Sequence, residues 1–216
     1  MPAYTIPEAA HYLNIPVSTI RYWTTGKDSN KGVIKPALAE QRPVLLSFYN
    51  LIELHLLGVI RREHNVRLPV VRSAIKYLEK QFGIKDHPLI RREMQTDGAD
   101  LFIEHLGALV NISSNGQQEM RSMLDAALKR IERDDSGLPR KLFPFTRSKP
   151  AESPNVVVID PALSGGRPVI AGTGLATEII TERFRAGESI KELARDYERT
   201  EEEIQEAIRC ETQIAA

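Results

Sequence analysis

The chain has 216 residues with 29 basic and 29 acidic side chains, so its formal net charge is zero; a length near ~200 fits one or two domains with a real core. An apolar fraction of 42% and a charged fraction of 27% exclude disorder as the dominant state, and no uncharged apolar run approaches the roughly 18 residues of a bilayer-spanning helix. The single cysteine, Cys210, excludes an internal disulfide framework and a cysteine-built zinc site. With no signal-peptide pattern at the N-terminus either, the cytoplasm is the expected setting.

The zero sum hides an asymmetry. Residues 1–150 hold 22 Lys and Arg against 16 Asp and Glu, an excess of six, and residues 151–216 hold 7 against 13, a deficit of six. Within residues 1–92 the balance is 14 to 7. Such a field attracts a polyanion and suits phosphate contacts, although a solvated basic surface has the same signature.

Residues 5–23 open with Thr5 and Glu8 at capping-box spacing and Pro7 in the first turn, which predicts a short helix with Ala9, Ala10 and Leu13 on its apolar face. Asn14-Ile15-Pro16 breaks it, and a second helix to about Thr25 is expected to carry Val17 and Ile20 inward. Two helices so joined suggest a helix-turn-helix. The outward positions of the second helix are Ser18, Thr19, Arg21 and Tyr22, with no carboxylate among them, followed by Lys27, Lys31 and Lys35 in a wing-like loop. This pattern suits phosphate contact and base readout in a major groove.

Residues 47–64 begin with a capping serine and are apolar on nearly every side, as expected of a core or dimer helix. The next helix starts at Pro69 and ends before Gly83, with Val71, Ala74, Ile75, Leu78 and Phe82 at helical spacing. Leu101, Ile103, Leu109, Val110 and Ile112 around Gly107 read as a short hairpin, and Met120, Leu124, Ala127, Leu128 and Ile131 as an amphipathic helix, together an α+β connector. Four prolines between Pro139 and Pro154, with Arg140, Lys141, Arg147 and Lys149, mark an extended boundary segment. It serves as a spacer or as an arm that wraps an acidic partner.

From Asn155 a β-branched strand leads into turns and a second short strand. Three helices follow, the first capped by Thr177 and the others by the Ser189/Glu192 and Thr200/Glu203 boxes. Ile179, Ile180 and Phe184, then Ile190, Leu193, Ala194 and Tyr197, then Ile204, Ala207 and Ile208 are expected to converge on one core. The predicted fold class is therefore mainly α with small β elements: an N-terminal winged helix-turn-helix and helical dimer region (1–92), a connector (93–150), and a strand-turn plus homeodomain-like three-helix unit (151–216).

Two resemblances follow. The residues TIRYW after an EAA-type first helix resemble the helix-turn-helix of MerR-type regulators, which implies DNA contacts for Arg21 and Tyr22 and wing contacts for Lys31, Lys35 and Arg42 in a loop longer than that of compact relatives. GRPVIAGT and GESIKELA in residues 155–212 resemble the DUF433 family, where many short relatives carry Arg and Pro in place of Gly174 and Ala176. Its members are commonly read as VapB-type antitoxins, partners of PIN-domain ribonuclease toxins, and longer ones join a MerR-like reader to this module.

Enzyme chemistry finds no support in the residues. Gly166 to Gly172 has the wrong length for a phosphate loop and no lysine follows; no G-x-G-x-x-G opens a helix. The five histidines, His11, His55, His64, His87 and His105, lack the i, i+4 spacing of a helical metal site. Asp97, Asp100 and Glu104 read as solvated, and Cys210 as a structural thiol. Trp23 reads as the anchor of the reading helix. Glu201, Glu202, Glu203, Glu206 and Glu211 against Arg209 set the last helix against DNA and toward protein contact. Neither a catalytic residue, a metal nor a cofactor is expected.

The reading is a DNA-binding antitoxin and repressor of its own operon, a homodimer on the operator upstream of its gene. A PIN-domain toxin would be contacted through Arg140, Lys141, Arg147 and Lys149. The alternatives are a ligand-responsive MerR-like regulator without a toxin, and an interaction adaptor that binds no DNA.

Overall fold

A computed structural model describes residues 3–26, 32–64, 66–84, 86–147, 149 and 152–212. Strand β1 (Ala3–Thr5) leads into α1 (Ile6–Leu13), whose Thr5/Glu8 capping box forms in both directions. Asn14 takes a left-handed conformation (φ 51°) and reverses the chain into α2 (Val17–Thr25). Ile20, Trp23 and Thr24 are the buried row of α2. Val17 departs from the expected pattern: it is 38% exposed. Ile15, in the turn, fills the inward space instead, packed where a side chain on Gly58 would stand.

β2 (Leu45–Ser47) pairs antiparallel with β1, setting Tyr4 opposite Leu46. It runs directly into α3 (Phe48–His64), capped by the Ser47 hydroxyl, which accepts from the Asn50 amide at 3.2 Å. Residues 50–60 of α3 are buried without interruption, so the helix is enclosed by its own chain. α4 (Leu68–Phe82) follows, with Leu68, Val71, Ala74, Ile75 and Leu78 inward.

The largest departure from expectation lies at 97–110, where the chain forms a helix, α5 (Asp97–Val110), and not a hairpin. Ala99, Phe102, Ile103 and Leu106 are its buried face, a helical spacing that the flanking glycines disguise. Gly98 and Gly107 mark close packing: a Cβ on Gly98 would stand 2.6 Å from the Glu93 carbonyl, and one on Gly107 2.5 Å from the Gln117 side chain. α6 (Ser114–Leu128) returns along α3 and α5.

The hairpin comes later, as β3 (Ile131–Arg133) and β4 (Pro139–Leu142). These strands join β5 (Val157–Ile159) and β6 (Pro168–Ile170) in one antiparallel sheet of order β3-β4-β5-β6. The sheet thus runs across residue 150, because Leu142 pairs with Ile159. Three helices close the chain: α7 (Thr177–Arg185), α8 (Ile190–Asp196) and α9 (Glu201–Thr212). The architecture is mainly α with two small sheets.

Apolar residues sort into a main core from Tyr4 to Ile159, a smaller one of Ile170, Ile180, Leu193, Ala194, Ile204, Ala207 and Ile208, and a third of Phe143, Val158 and Val169 on the sheet. Ile179 and Phe184, expected inside, are 45% and 38% exposed. The inward row of α7 is Thr177, Ile180 and Thr181, and the small side chains of the two threonines let α7 lie close against α9. Thr177 also does not cap α7; Ala176 holds that position without a side-chain bond.

Candidate nucleic-acid interface and the joint behind it

α2 is held from behind by Trp23, 2% exposed, with the Arg61 guanidinium 5.5 Å from its ring centroid. The Trp23 carbonyl accepts from the amides of Val33 and Ile34 at 2.7 and 3.0 Å, which brings the returning loop against the end of α2. Gly32 is required for this approach, since a Cβ there would lie 2.1 Å from the Thr24 carbonyl oxygen. Ser18 and Arg21 are exposed on α2, with Thr19 and Tyr22 half-buried.

Lys35 and Arg42 are exposed and line one groove of about 740 Å³ with Thr24, Thr25 and Gly32. The structure therefore gathers Arg42 and Lys35 beside the C-terminal end of α2. Lys27 and Lys31 lie outside the described residues. Asn50, which sequence patterning passes over as one polar residue in an apolar helix, anchors this loop. Its Oδ1 accepts from the amides of Ala37 and Ser47 at 3.1 and 3.0 Å, and its Nδ2 donates to the Lys35 carbonyl at 2.9 Å.

Behind Asn50, the buried Glu53 meets His87 Nδ1 at 2.9 Å, beside a cavity of about 260 Å³ that Lys35, Glu79 and Asp86 also line. Hydrogen bonding to Glu53 raises the His87 pKa above its ordinary value against the opposing effect of burial.

The four cations of the Pro-rich segment part company. Lys141 pairs with Glu132 across the β3–β4 hairpin at 2.9 Å, Lys149 with Glu152 at 3.0 Å, and Arg140 is exposed. Arg147 turns inward, its Nε 3.0 Å and its Nη2 2.6 Å from Glu206 Oε1. Glu206 is fully buried on α9, and Thr146 donates to its other oxygen. Burial alone would raise the Glu206 carboxyl; hydrogen bonds from Thr146 and Arg147 and the charge of Arg209 hold it below the ordinary range.

A carboxylate so depressed stabilises the fold above the ordinary pKa of 4.5 and loses that contribution as pH falls through its lower folded value. Arg147→Met raises that folded value and shifts acid unfolding, followed by circular dichroism, to higher pH than in the wild type. An unchanged acid midpoint would contradict the pairing.

Arg130 is the second buried charge missed by sequence patterning, because it reads there as one of two cations at a helix end. It is 7% exposed and donates to the carbonyls of Phe143, Pro144, Ser153 and Pro154 at 2.8–3.0 Å and to Asn155 Oδ1. Its guanidinium also lies 5.3 Å from the Phe145 ring centroid. Burial brings its pKa down to about 10, so it stays charged at neutral pH.

The front and back halves of the molecule meet where α1 lies on α9. His11 Nε2 is 2.7 Å from Glu211 Oε2, Thr177 donates to Glu211 Oε1, and the Tyr4 hydroxyl donates to the Gly166 carbonyl at 3.1 Å. The exposed residues of α9 include Glu201, Glu202 and Arg209, while Ile204, Glu206, Ala207, Ile208 and Cys210 are buried. Burial pushes the Cys210 thiol well above its usual range, which suits packing and not nucleophilic chemistry.

Among the described residues, no three His, Cys, Asp or Glu side chains are grouped to hold a metal ion, and no helix is long and apolar enough to cross a membrane.

These features define a two-part protein, a basic helical front joined to a strand-and-three-helix module. Residues 157–209 match the family model described as protein of unknown function (DUF433). The chain is 26% identical over 233 residues to the Mycobacterium tuberculosis (strain ATCC 25618 / H37Rv) protein "Putative antitoxin VapB45", across 96% of this chain and 93% of that one. It also shares the fold of the crystal structure of Rv2018 from Mycobacterium tuberculosis, with a TM-score of 0.72 and 23% identity over 96% of this chain and 98% of that one.

Proposed function

We propose that the chain is the antitoxin of a toxin–antitoxin pair, acting by binding and not by catalysis, and that it represses its own operon through α1 and α2. The observation that carries the DNA half is the open face of α2. Ser18 and Arg21 are exposed with no carboxylate among the outward residues, and Lys35 and Arg42 stand on the loop beside them. Helix N-terminal hydroxyls and an arginine on one open face are the donors that phosphates and base edges accept. The near-full-length likeness to an antitoxin-named relative supports the other half.

One such reader covers a half-site, so a two-fold dimer on an inverted repeat is the expected arrangement, with α2 helices about 34 Å apart or a multiple of that. The toxin in this reading is a PIN-domain ribonuclease. A cation inserted among its metal-binding carboxylates would block it. Of the four candidate cations, Arg140 and Lys149 face solvent, and they carry the proposal.

Fluorescence anisotropy against DNA from upstream of the gene, titrated across salt with scrambled competitor, tests the reader. Arg21→Ala is expected to weaken binding about tenfold, with the salt slope smaller by about one if Arg21 contacts a phosphate, or with relaxed specificity at one position if it contacts a base. Binding of Arg21→Ala indistinguishable from wild type at every salt concentration would remove α2 from the interface.

A further inference from the structure

The contact between α1 and α9 joins residues 200 positions apart through one imidazole and one carboxylate. We propose that His11 and Glu211 form a proton-sensitive clasp that fastens α1 to the three-helix module and loosens when the imidazole loses its proton.

The geometry singles out this pair. Glu211 has an 11% exposed side chain with both oxygens engaged, one by His11 and one by Thr177 at the start of α7, so it is fixed from its own side. His11 has a 36% exposed side chain and the adjoining Tyr12 ring 5.8 Å away, so it can exchange its proton with solvent without unfolding. A cleft of about 480 Å³, lined by Pro7, Glu8, Tyr12, Arg167, Pro168 and Glu178 besides the pair itself, opens solvent to the contact.

The charges around the imidazole come from each element packed there. Glu211 on α9 and Glu178 on α7 favour the imidazolium, and Arg185 on α7 opposes it. Glu8 lies one turn before His11 on α1 and is held in the capping box, and Arg167 is paired with Glu178 at 3.2 Å. The hydrogen bond to Glu211 outweighs burial and raises the pKa of His11 above its ordinary 6.5. Burial alone would raise the Glu211 carboxyl, but its bonds to His11 and Thr177 depress it.

The signs then follow from linkage. A raised histidine contributes fully below 6.5 and loses its contribution as pH rises through the folded value; a depressed carboxylate contributes above 4.5 and loses it as pH falls through its own. The ionic clasp is closed between these limits. Above the upper limit the neutral imidazole keeps only a hydrogen bond, while the uncharged Tyr4–Gly166 bond, from β1 to the turn before β6, does not depend on it. α1 packs on α2, so under the DNA-reading proposal the clasp would tie the reader to the module; the clasp itself does not depend on that proposal.

Titration of the histidine Cε1–H signals by NMR, together with hydrogen exchange corrected for intrinsic chemical rates, tests this on the full chain. His11 is expected to titrate above 6.5 in the wild type and lower in Glu211→Gln. Exchange in α1 and the last turn of α9 should be several-fold faster at pH 8.5 than at pH 6.0, with α5 unchanged, a difference that His11→Gln and Glu211→Gln abolish. His87, bonded to Glu53 inside the front unit, is the internal control, since its titration should persist in both variants.

A His11 that titrates at or below 6.5, or a pH dependence of α1 exchange that survives in both variants, overturns the clasp. Unchanged DNA binding by Arg21→Ala with a His11 that titrates above 6.5 fails the reader assignment alone, and loss of DNA binding by Arg21→Ala with a His11 that titrates at or below 6.5 fails the clasp alone.

Discussion

Replacing Arg130 with Met lowers the stability of the protein by about 3–5 kcal/mol, the scale for breaking a buried charged network. Methionine fills much of the same space but has no donors. The carbonyls of Phe143, Pro144, Ser153 and Pro154 and the Asn155 side chain then lose a partner at once. These acceptors sit on both legs of the loop between β4 and β5, so the loss reaches the junction of the sheet with the three-helix module. Arg130→Lys does not rescue it, because an ammonium has three donors on one atom and cannot span acceptors from both legs. Urea unfolding followed by circular dichroism gives the measure: with a slope of about 2 kcal/mol/M, the midpoint falls by about 2 M. A Met variant within about 1 kcal/mol of wild type would mean that water satisfies those carbonyls.

Trp23→Ala has an effect of the same size, about 3–5 kcal/mol, as expected for emptying a large aromatic site in a close-packed core. Trp23 is buried among the main core residues, and the Arg61 guanidinium lies over its ring. Without the indole, α2 loses its largest apolar anchor and the loop tied to the Trp23 carbonyl loses its fixed base. Trp23→Phe keeps most of the packing and should remain within about 2 kcal/mol of wild type. Trp23 is the chain's sole tryptophan, so unfolding of the variants is followed by circular dichroism, while wild-type fluorescence reports α2 itself. If Trp23→Ala unfolds at the wild-type urea midpoint, α2 is held by its backbone turn and not by the ring.

Local chemistry made much of the chain legible. The capping boxes at Thr5, Ser189 and Thr200 lie where short-range spacing places them, because both partners of each box are three residues apart. The same holds for α2, where Ile20 and Trp23 fall on one helical row and Arg21 on the other. Residues 101–112 misled for a local reason as well. A glycine, Gly107, amid a run of apolar residues satisfies a hairpin pattern as readily as a tightly packed helix, and only the approach of Gln117 to that glycine distinguishes the two.

The sequence by itself determined most of the helix starts and apolar rows, with α5, the cap of α7, Val17, Ile179 and Phe184 as the exceptions, together with the basic front, the open face of α2 and the likeness of the C-terminal module to DUF433. Tertiary structure alone decided which charges are surface and which are mortar. Arg130, Glu206 and Glu211 carry no local mark that separates them from neighbours such as Lys129, Glu202 and Glu201. Apart from Arg209, three residues on from Glu206, their partners lie 13 to 25, 59 to 60 and 34 to 200 residues away. An ion pair is a matter of a few ångströms in space, whereas periodicity and capping register only neighbours along the chain, so the joint between the two halves became visible only once α9 had been laid against α1 and the Pro-rich segment.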